Sequence, residues 1–406
     1  MPVPLDLRLL ATLPALGLDP QQICAAAPVP GGLSGARLTR LWLAVAAGEW
    51  PDAPRWHGTR VVKEQTAGVG WIASTTHDTR IREAALWQTG LAARIPRQIG
   101  LAVERVTPPD PAPTSPRPLS SEERGFAAPR ASSTPGSTAS AALLLRDVRA
   151  RLMREPYRTP PGHLPQPVHA ALDALASMHA RFWEAPELDD ARLGLVSLRD
   201  TLLWLAPGAI EEAIAAGVNE PYLELARHGW QAFFDCIDPE DAKTLRATLA
   251  QPERALAAIA RLPSTLIHGD VWGPNLGRLP RDRRRRGPGS RVLLIDWALT
   301  AAAPATWDLL GLFGAWRTLE PGAIFAAYRA RLNHHLGARR IALTPIVWRR
   351  MLAAAYLRGA LTLGEAYGRA VSDARGEVER QRALARARWW ARRGARAARL
   401  LEREQP

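Results

Sequence analysis

Two short apolar runs, each ending on a carboxylate, constrain what this chain can fold into more than any other feature. The first lies in Ser264 to Gly277 (STLIHGDVWGPNLG), where it ends in His268-Gly269-Asp270 and four residues separate Asp270 from Asn275. The second is RVLLIDWAL, residues 291 to 299, in which Val292 to Ile295 runs into Asp296. Apolar runs this short, bounded by polar residues, read as buried strands. Polar groups at the mouths of two such strands are what metal-dependent phosphoryl transfer requires. One carboxylate meets a nucleophilic hydroxyl, while an amide and a second carboxylate hold Mg²⁺ on the phosphates. Asp270 and Asn275 share one loop, and Asp296 arrives from the neighbouring strand.

The chain around them is long enough for two lobes, at 406 residues. Residues 5 to 17 read as a short amphipathic helix, and from about 24 to 72 the pattern is strand-like, with Gly and Pro as turns. Residues 78 to 89 read as a helix with Asp78 as N-cap and Gly90 just past its end. Two apolar pieces follow, QIGLAVERV and AALLLRDV. Between them, residues 107 to 140 carry eight prolines among Ser, Thr and Ala, a composition with almost nothing to bury, which predicts a disordered insertion. After residue 150 the periodicity is helical. Leu172, Leu175, Ala176, His179 and Phe182 share one face of a helix over 166 to 183, where His179 reads as a hydrogen-bonded core histidine. Further helices are expected at 197–217, 220–235, 239–259, 320–336, 346–369 and 374–403. The class is α+β, a β-rich N-terminal lobe (1–148) followed by a larger helical C-terminal lobe (149–406).

His-Gly-Asp-x-x-x-x-Asn followed by Ile-Asp-Trp resembles the catalytic and metal-binding loops of the aminoglycoside phosphotransferase family, which includes choline kinase-like small-molecule kinases and shares the bilobal protein-kinase-like fold. The resemblance covers most of residues 20 to 370. It implies an ATP- or GTP-dependent, Mg²⁺-dependent transfer of the γ-phosphate to a hydroxyl of a small molecule, with a catalytic loop at 266–277 and a metal-binding strand at 291–298. Asp270 would be the catalytic base, and Asn275 and Asp296 would hold the metal. Gly31, Gly32, Ser34 and Gly35 would form the loop over the nucleotide. Lys63, ending the strand VVK, would position the phosphates. Only Lys63 and Lys243 are lysines among the 53 basic residues, and a compact ammonium between phosphates is not replaced by a planar guanidinium. Glu83 on the following helix would pair with Lys63 in preference to Glu64, because adjacent strand residues point to opposite faces. LLLRDV (143–148) resembles the hinge strand, His268 would brace the catalytic loop, and Asp308 would accept hydrogen bonds from that loop's backbone. The chain departs from the pattern in the insertion and in PRDRRRRGPGS, which lengthens the hairpin between Asn275 and Asp296.

A net charge of +14 invites a nucleic-acid reading, but 51 of the basic residues are arginines spread along an Ala-, Pro- and Gly-rich chain. Local clusters occur only at Arg281 to Arg286 and from Arg380 onward, the latter patterned as one face of an exposed helix, so a nucleic-acid partner is not expected. The same charge disfavours a polycationic acceptor. Glu184, Glu187, Asp189, Asp190, Trp316 and Trp348 are candidates for binding a cationic one. Trp307 follows Asp296 by only eleven residues and no Ala-Pro-Glu follows, which leaves no room for a peptide-docking segment. Cys24 and Cys236, far apart and without metal-like spacing, exclude a disulfide scaffold and suit a reducing cytoplasm. No apolar run is long enough to span a bilayer. The competing reading is a catalytically inactive kinase-like nucleotide-binding module, which loss of Lys63, Asp270, Asn275 or Asp296 would mark. All four are present.

Overall fold

The computed structural model describes residues 6–29, 36–43, 59–107, 139–153, 164–279, 291–315 and 320–403. The nucleotide loop expected at Gly31 to Gly35, residues 108–138 of the expected insertion, Arg281 to Arg286 and Trp316 lie outside the described residues.

The chain begins with helix α1 (Leu7–Thr12), capped by the Asp6 carboxylate on the Leu9 amide, and then enters an antiparallel sheet. Strands β1 (Ile23–Pro28), β2 (Arg37–Leu43) and β3 (Thr59–Thr66) run consecutively. Helices α2 (Trp71–Thr75) and α3 (Arg82–Gln88) follow, then β4 (Ile99–Leu101), β5 (Val103–Val106) and β6 (Ser140–Arg146). The sheet order is β1-β2-β3-β6-β5, which places β3 centrally between β2 and β6. Alternation along the strands gives it two apolar faces. Leu9, Leu13 and Leu16 cover Val62, Ala142 and Leu144 on one face, while Ile81 and Ala84 cover Ala141 and Leu143 on the other. Lys63, paired in register with Leu143, therefore lies on the α3 face.

Helix α3 starts at Arg82, four residues later than the sequence suggested. The Asp78 carboxylate does accept from the Arg82 amide at 3.0 Å, but Ile81 has a φ of 55°, so the intervening residues form a turn. Gly90, at φ 79°, ends this helical segment as expected. The stretch QIGLAVERV divides between two sheets: β5 joins the large sheet, while β4 pairs in parallel with a strand of the metal-binding hairpin.

The remainder is mostly helical: α4 (Gln166–Arg181), α5 (Leu198–Leu203), α6 (Pro207–Ala215), α7 (Pro221–Cys236), α8 (Pro239–Ala250) and α9 (Glu253–Ile259). The helices expected at 197–217 and 239–259 are each two helices. Pro207 and Pro252 lack the N–H a continuing helix needs, and each opens the next one. Strands β7 (Thr265–Ile267), β8 (Leu276–Leu279), β9 (Arg291–Leu294) and β10 (Ala301–Ala303) come next, then α10 (Leu310–Ala315), α11 (Pro321–Gly337), α12 (Pro345–Ser372) and α13 (Glu377–Arg403). One core runs through this region and reaches the sheet side through Trp71, whose ring lies 5.3 Å from Trp204 and 5.1 Å from Tyr222. The architecture is a bilobal α+β fold with a β-rich N-terminal part and a larger helical part.

Candidate active site

Strand register brings the two sequence motifs together. In the β8–β9 hairpin Leu276 pairs with Leu294, so Asn275, just before β8, and Asp296, just after β9, leave the ladder at the same end. The length of the hairpin's far end does not matter to this. The Ile295 amide donates to the Asn275 carbonyl at 3.1 Å. In the second pair, β7 and β10, Ile267 faces Ala301, so His268 emerges beside the segment that follows Asp296.

On the sheet side, the Lys63 ammonium donates to Glu83 at 2.6 Å and to Asp296 at 2.9 Å. Burial alone would depress Lys63, but the charges of Asp296 and Glu83 overcome this and hold it raised. Burial also pushes Glu83 up, against the pull of Lys63. Asp296 would rise on burial, yet Lys63 keeps it below the ordinary carboxylate value. Asp296 has a left-handed backbone, φ 62°. Glu64, on the other face of β3, approaches Arg8 and Arg37 instead.

On the helical side, the Asp270 carboxylate accepts from the Asn275 amide nitrogen at 2.7 Å. Burial, reinforced by the charge of Asp296, pushes Asp270 up to about 7. The His268 Nε2 donates to the Ile295 carbonyl at 3.0 Å and its Nδ1 accepts from the Asp270 amide at 3.3 Å, which fixes one neutral tautomer. Burial lowers His268, consistent with that form. Asp308, fully enclosed, accepts from the His268 amide at 2.8 Å and the Gly269 amide at 2.7 Å. Burial would raise Asp308, but the bond from His179 at 3.0 Å and these amides hold it below the ordinary value. His179 lies inside the core with its other nitrogen 2.5 Å from the Tyr328 hydroxyl. Gly269 has φ 84°, and a Cβ there would lie 2.1 Å from the Leu299 carbonyl, so no side chain fits.

Lys63, Glu83 and Asp296 thus form one bonded set and Asp270, Asn275, His268 and Asp308 a second, and the two meet through the Ile295 main chain. Three of the acidic and aromatic candidates for an acceptor pocket are engaged elsewhere. Glu187 pairs with Arg94 at 2.5 Å, Asp190 pairs with Arg192 at 2.7 Å, and Trp348 is buried against Tyr328. Two residues that sequence reasoning passed over belong here. Arg82, enclosed at the start of α3, donates to the Ala298 carbonyl beside Asp296 and to the Gly194 carbonyl. Arg358 of α12 reaches the Gly269 carbonyl at 3.2 Å. In a chain with 51 arginines neither stands out by type. The one signal was an Arg inside the otherwise apolar stretch MLAAAYLRGAL.

The donor set suits Mg²⁺. Asn275 spends its amide nitrogen on Asp270, at the side chain and at the main-chain carbonyl, which leaves its side-chain oxygen as a hard donor in the loop that bonds to the residue before Asp296. No three His, Cys, Asp or Glu residues form a metal cage among the described residues, so remaining ligands would come from phosphate and water.

No protein-family model and no curated protein matches the sequence. Solved structures are similar in overall arrangement. A macrolide 2′-phosphotransferase from Brachybacterium faecium matches with 16% identity and a TM-score of 0.41, over 93% of this chain and 97% of its own. A choline kinase from Cryptosporidium parvum Iowa II matches at 10% and 0.45, over 93% of this chain and 90% of its own. A Plasmodium vivax ethanolamine kinase matches at 9% and 0.43, over 94% and 85%. With values this low the fold rests on the topology above, and function has to come from the geometry of the site.

Proposed function

We propose that this protein is a phosphotransferase that moves the γ-phosphate of ATP to a hydroxyl of a small molecule. The observation that carries this reading is a pair of bonded sets on adjoining segments: Lys63 joins Glu83 to Asp296, and Asn275 bonds Asp270 in the loop whose main chain bonds to Ile295. A buried ammonium held by two carboxylates gives a fixed positive charge for nucleotide phosphates. Asn275 and Asp296 would hold Mg²⁺, which when bound neutralises charge on the transferring phosphoryl group. Asp270, raised to about 7, would orient the acceptor hydroxyl and take its proton late in transfer. Most of the rate enhancement would be positioning and charge neutralisation.

The segment after Asp296 favours a small acceptor. Leu299, Thr300, Ala301, Ala303, Ala305, Thr306 and Trp307 are all buried, so the segment is part of the core and presents no surface along which a peptide could lie. Among the described residues no helix is long and apolar enough to cross a membrane. Unpaired cysteines at Cys24 and Cys236 suit work in the reducing cytoplasm. A screen of hydroxylated metabolites with labelled ATP and Mg²⁺ tests the reading. At least one phosphorylated product is expected, with no labelling of a peptide library. Sequence-selective peptide phosphorylation that vanishes in Asp270→Ala would overturn it.

A further inference from the structure

Arg358 lies on α12 with 4% of its surface exposed. A buried guanidinium is costly, and a well-packed apolar residue is often no worse for stability. Its N–H groups go to three main-chain carbonyls from separate parts of the chain: Thr201 of α5 at 3.1 Å, Trp307 at 2.9 Å and Gly269 of the catalytic loop at 3.2 Å. It also stands 5.1 Å from the centre of the Trp307 ring. The nearby carboxylates of Asp308 and Asp270 offset the cost of burying its charge only in part.

The Gly269 contact matters most. The Gly269 carbonyl and the Asp270 amide belong to one peptide unit, the one from which the Asp270 side chain departs. Arg358 holds its oxygen, and His268 Nδ1 holds its N–H at 3.3 Å. The preceding peptide is held at the Gly269 amide by Asp308. Glycine has no side chain to resist rotation, so the direction of Asp270 has to be imposed from outside. A lysine could supply the charge but not a planar fork reaching three carbonyls.

We propose that Arg358 is a positioning residue for phosphoryl transfer, clamping the Gly269–Asp270 peptide so that the Asp270 carboxylate is aimed before substrate arrives. This rests on the phosphotransferase reading above. Arg358→Lys is the decisive variant, because it keeps the charge; Arg358→Met is compared where it folds. Arg369→Met is the control, since Arg369 is on the same helix and holds Glu365 and Tyr222 away from the catalytic loop. Two measurements are made: amide hydrogen exchange at Gly269 and Asp270 in nucleotide-free protein, and hydrolysis of ATP with water as acceptor alongside ATP affinity. Arg358→Lys is expected to exchange faster at those amides and to bind ATP within about threefold of the parent, with turnover down about 10²-fold. Arg369→Met should leave turnover within about threefold. Unchanged exchange or near-parental turnover in Arg358→Lys overturns the proposal, as does an equal turnover loss in Arg369→Met. A parent that hydrolyses no ATP and phosphorylates nothing sinks the phosphotransferase reading, while the exchange data still decide whether Arg358 clamps the loop.

Discussion

The sheet side and the helical side of the site are held by different means. On the sheet side the functional groups hold one another: Lys63 is gripped by Glu83 and Asp296, side chain to side chain. On the helical side buried groups hold the backbone: Asp308 takes two amides, Arg358 a carbonyl, and His268 an amide and a carbonyl. Side-chain ion pairs can be exchanged for bonds to a ligand, as phosphates and metal would demand of Lys63 and Asp296. A loop held by its peptides keeps its shape whether or not a ligand is present, which is what a preorganised base requires. On the proposed function, the first side would exchange partners on ligand binding and the second would keep its shape.

The largest expected effect breaks the comparison at its chemical ends. Asp270→Ala should lower turnover by about 10³-fold or more while leaving nucleotide affinity largely intact. Asp296→Ala should instead abolish Mg²⁺-dependent nucleotide binding, read by calorimetry. Equal loss of ATP affinity in both, without selective loss of turnover in Asp270→Ala, would show that the two sides do not divide the work.

Stability should separate them next. Asp308→Asn removes a buried charge on which two amides and His179 depend, and about 3 kcal/mol should be lost at neutral pH in chemical denaturation. Asp308 titrates below 3.8, so its contribution is present above that pH and is lost as pH falls through its lower folded value. The deficit of Asp308→Asn should therefore shrink in acid.

Asp270 has the opposite sign. It ionises at about 7 when folded against 3.8 ordinarily, so its ionisation costs stability as pH rises between those values. Metal-free Asp270→Asn should be more stable than the parent above pH 7, by up to about 4 kcal/mol, with the gain gone near pH 3.8. A destabilised Asp270→Asn would mean that the loop needs the carboxylate for its shape. The smallest effect should come from deleting residues 110–138, which sequence composition marks as having little to bury. A change within about 1 kcal/mol is expected, and a large drop in melting temperature or activity would give that segment a role.

Much of the architecture was readable because period and punctuation are local properties. The apolar alternation of the strands, the helical spacing in 166–183 and the Gly90 stop each depend on neighbours within a few residues. The roles of prolines 207 and 252 were equally local, and the unbroken helices expected there failed on a rule visible in the sequence. The pairing of Asp270 with Asn275 was legible from spacing alone, and the preference of Lys63 for Glu83 over Glu64 followed from strand alternation. Only the tertiary structure decided how distant groups meet. The meeting of Asn275 and Asp296 was expected from the motifs and strand register supplied its means, whereas the division of residues 99–106 between two sheets depended on partners far along the chain. Arg82 and Arg358 gained their places because helices α3 and α12 pack where the carbonyls of Ala298 and Gly269 need a donor. A carbonyl looks alike at every residue in a sequence, so no pattern of side chains marks which one a buried guanidinium will hold.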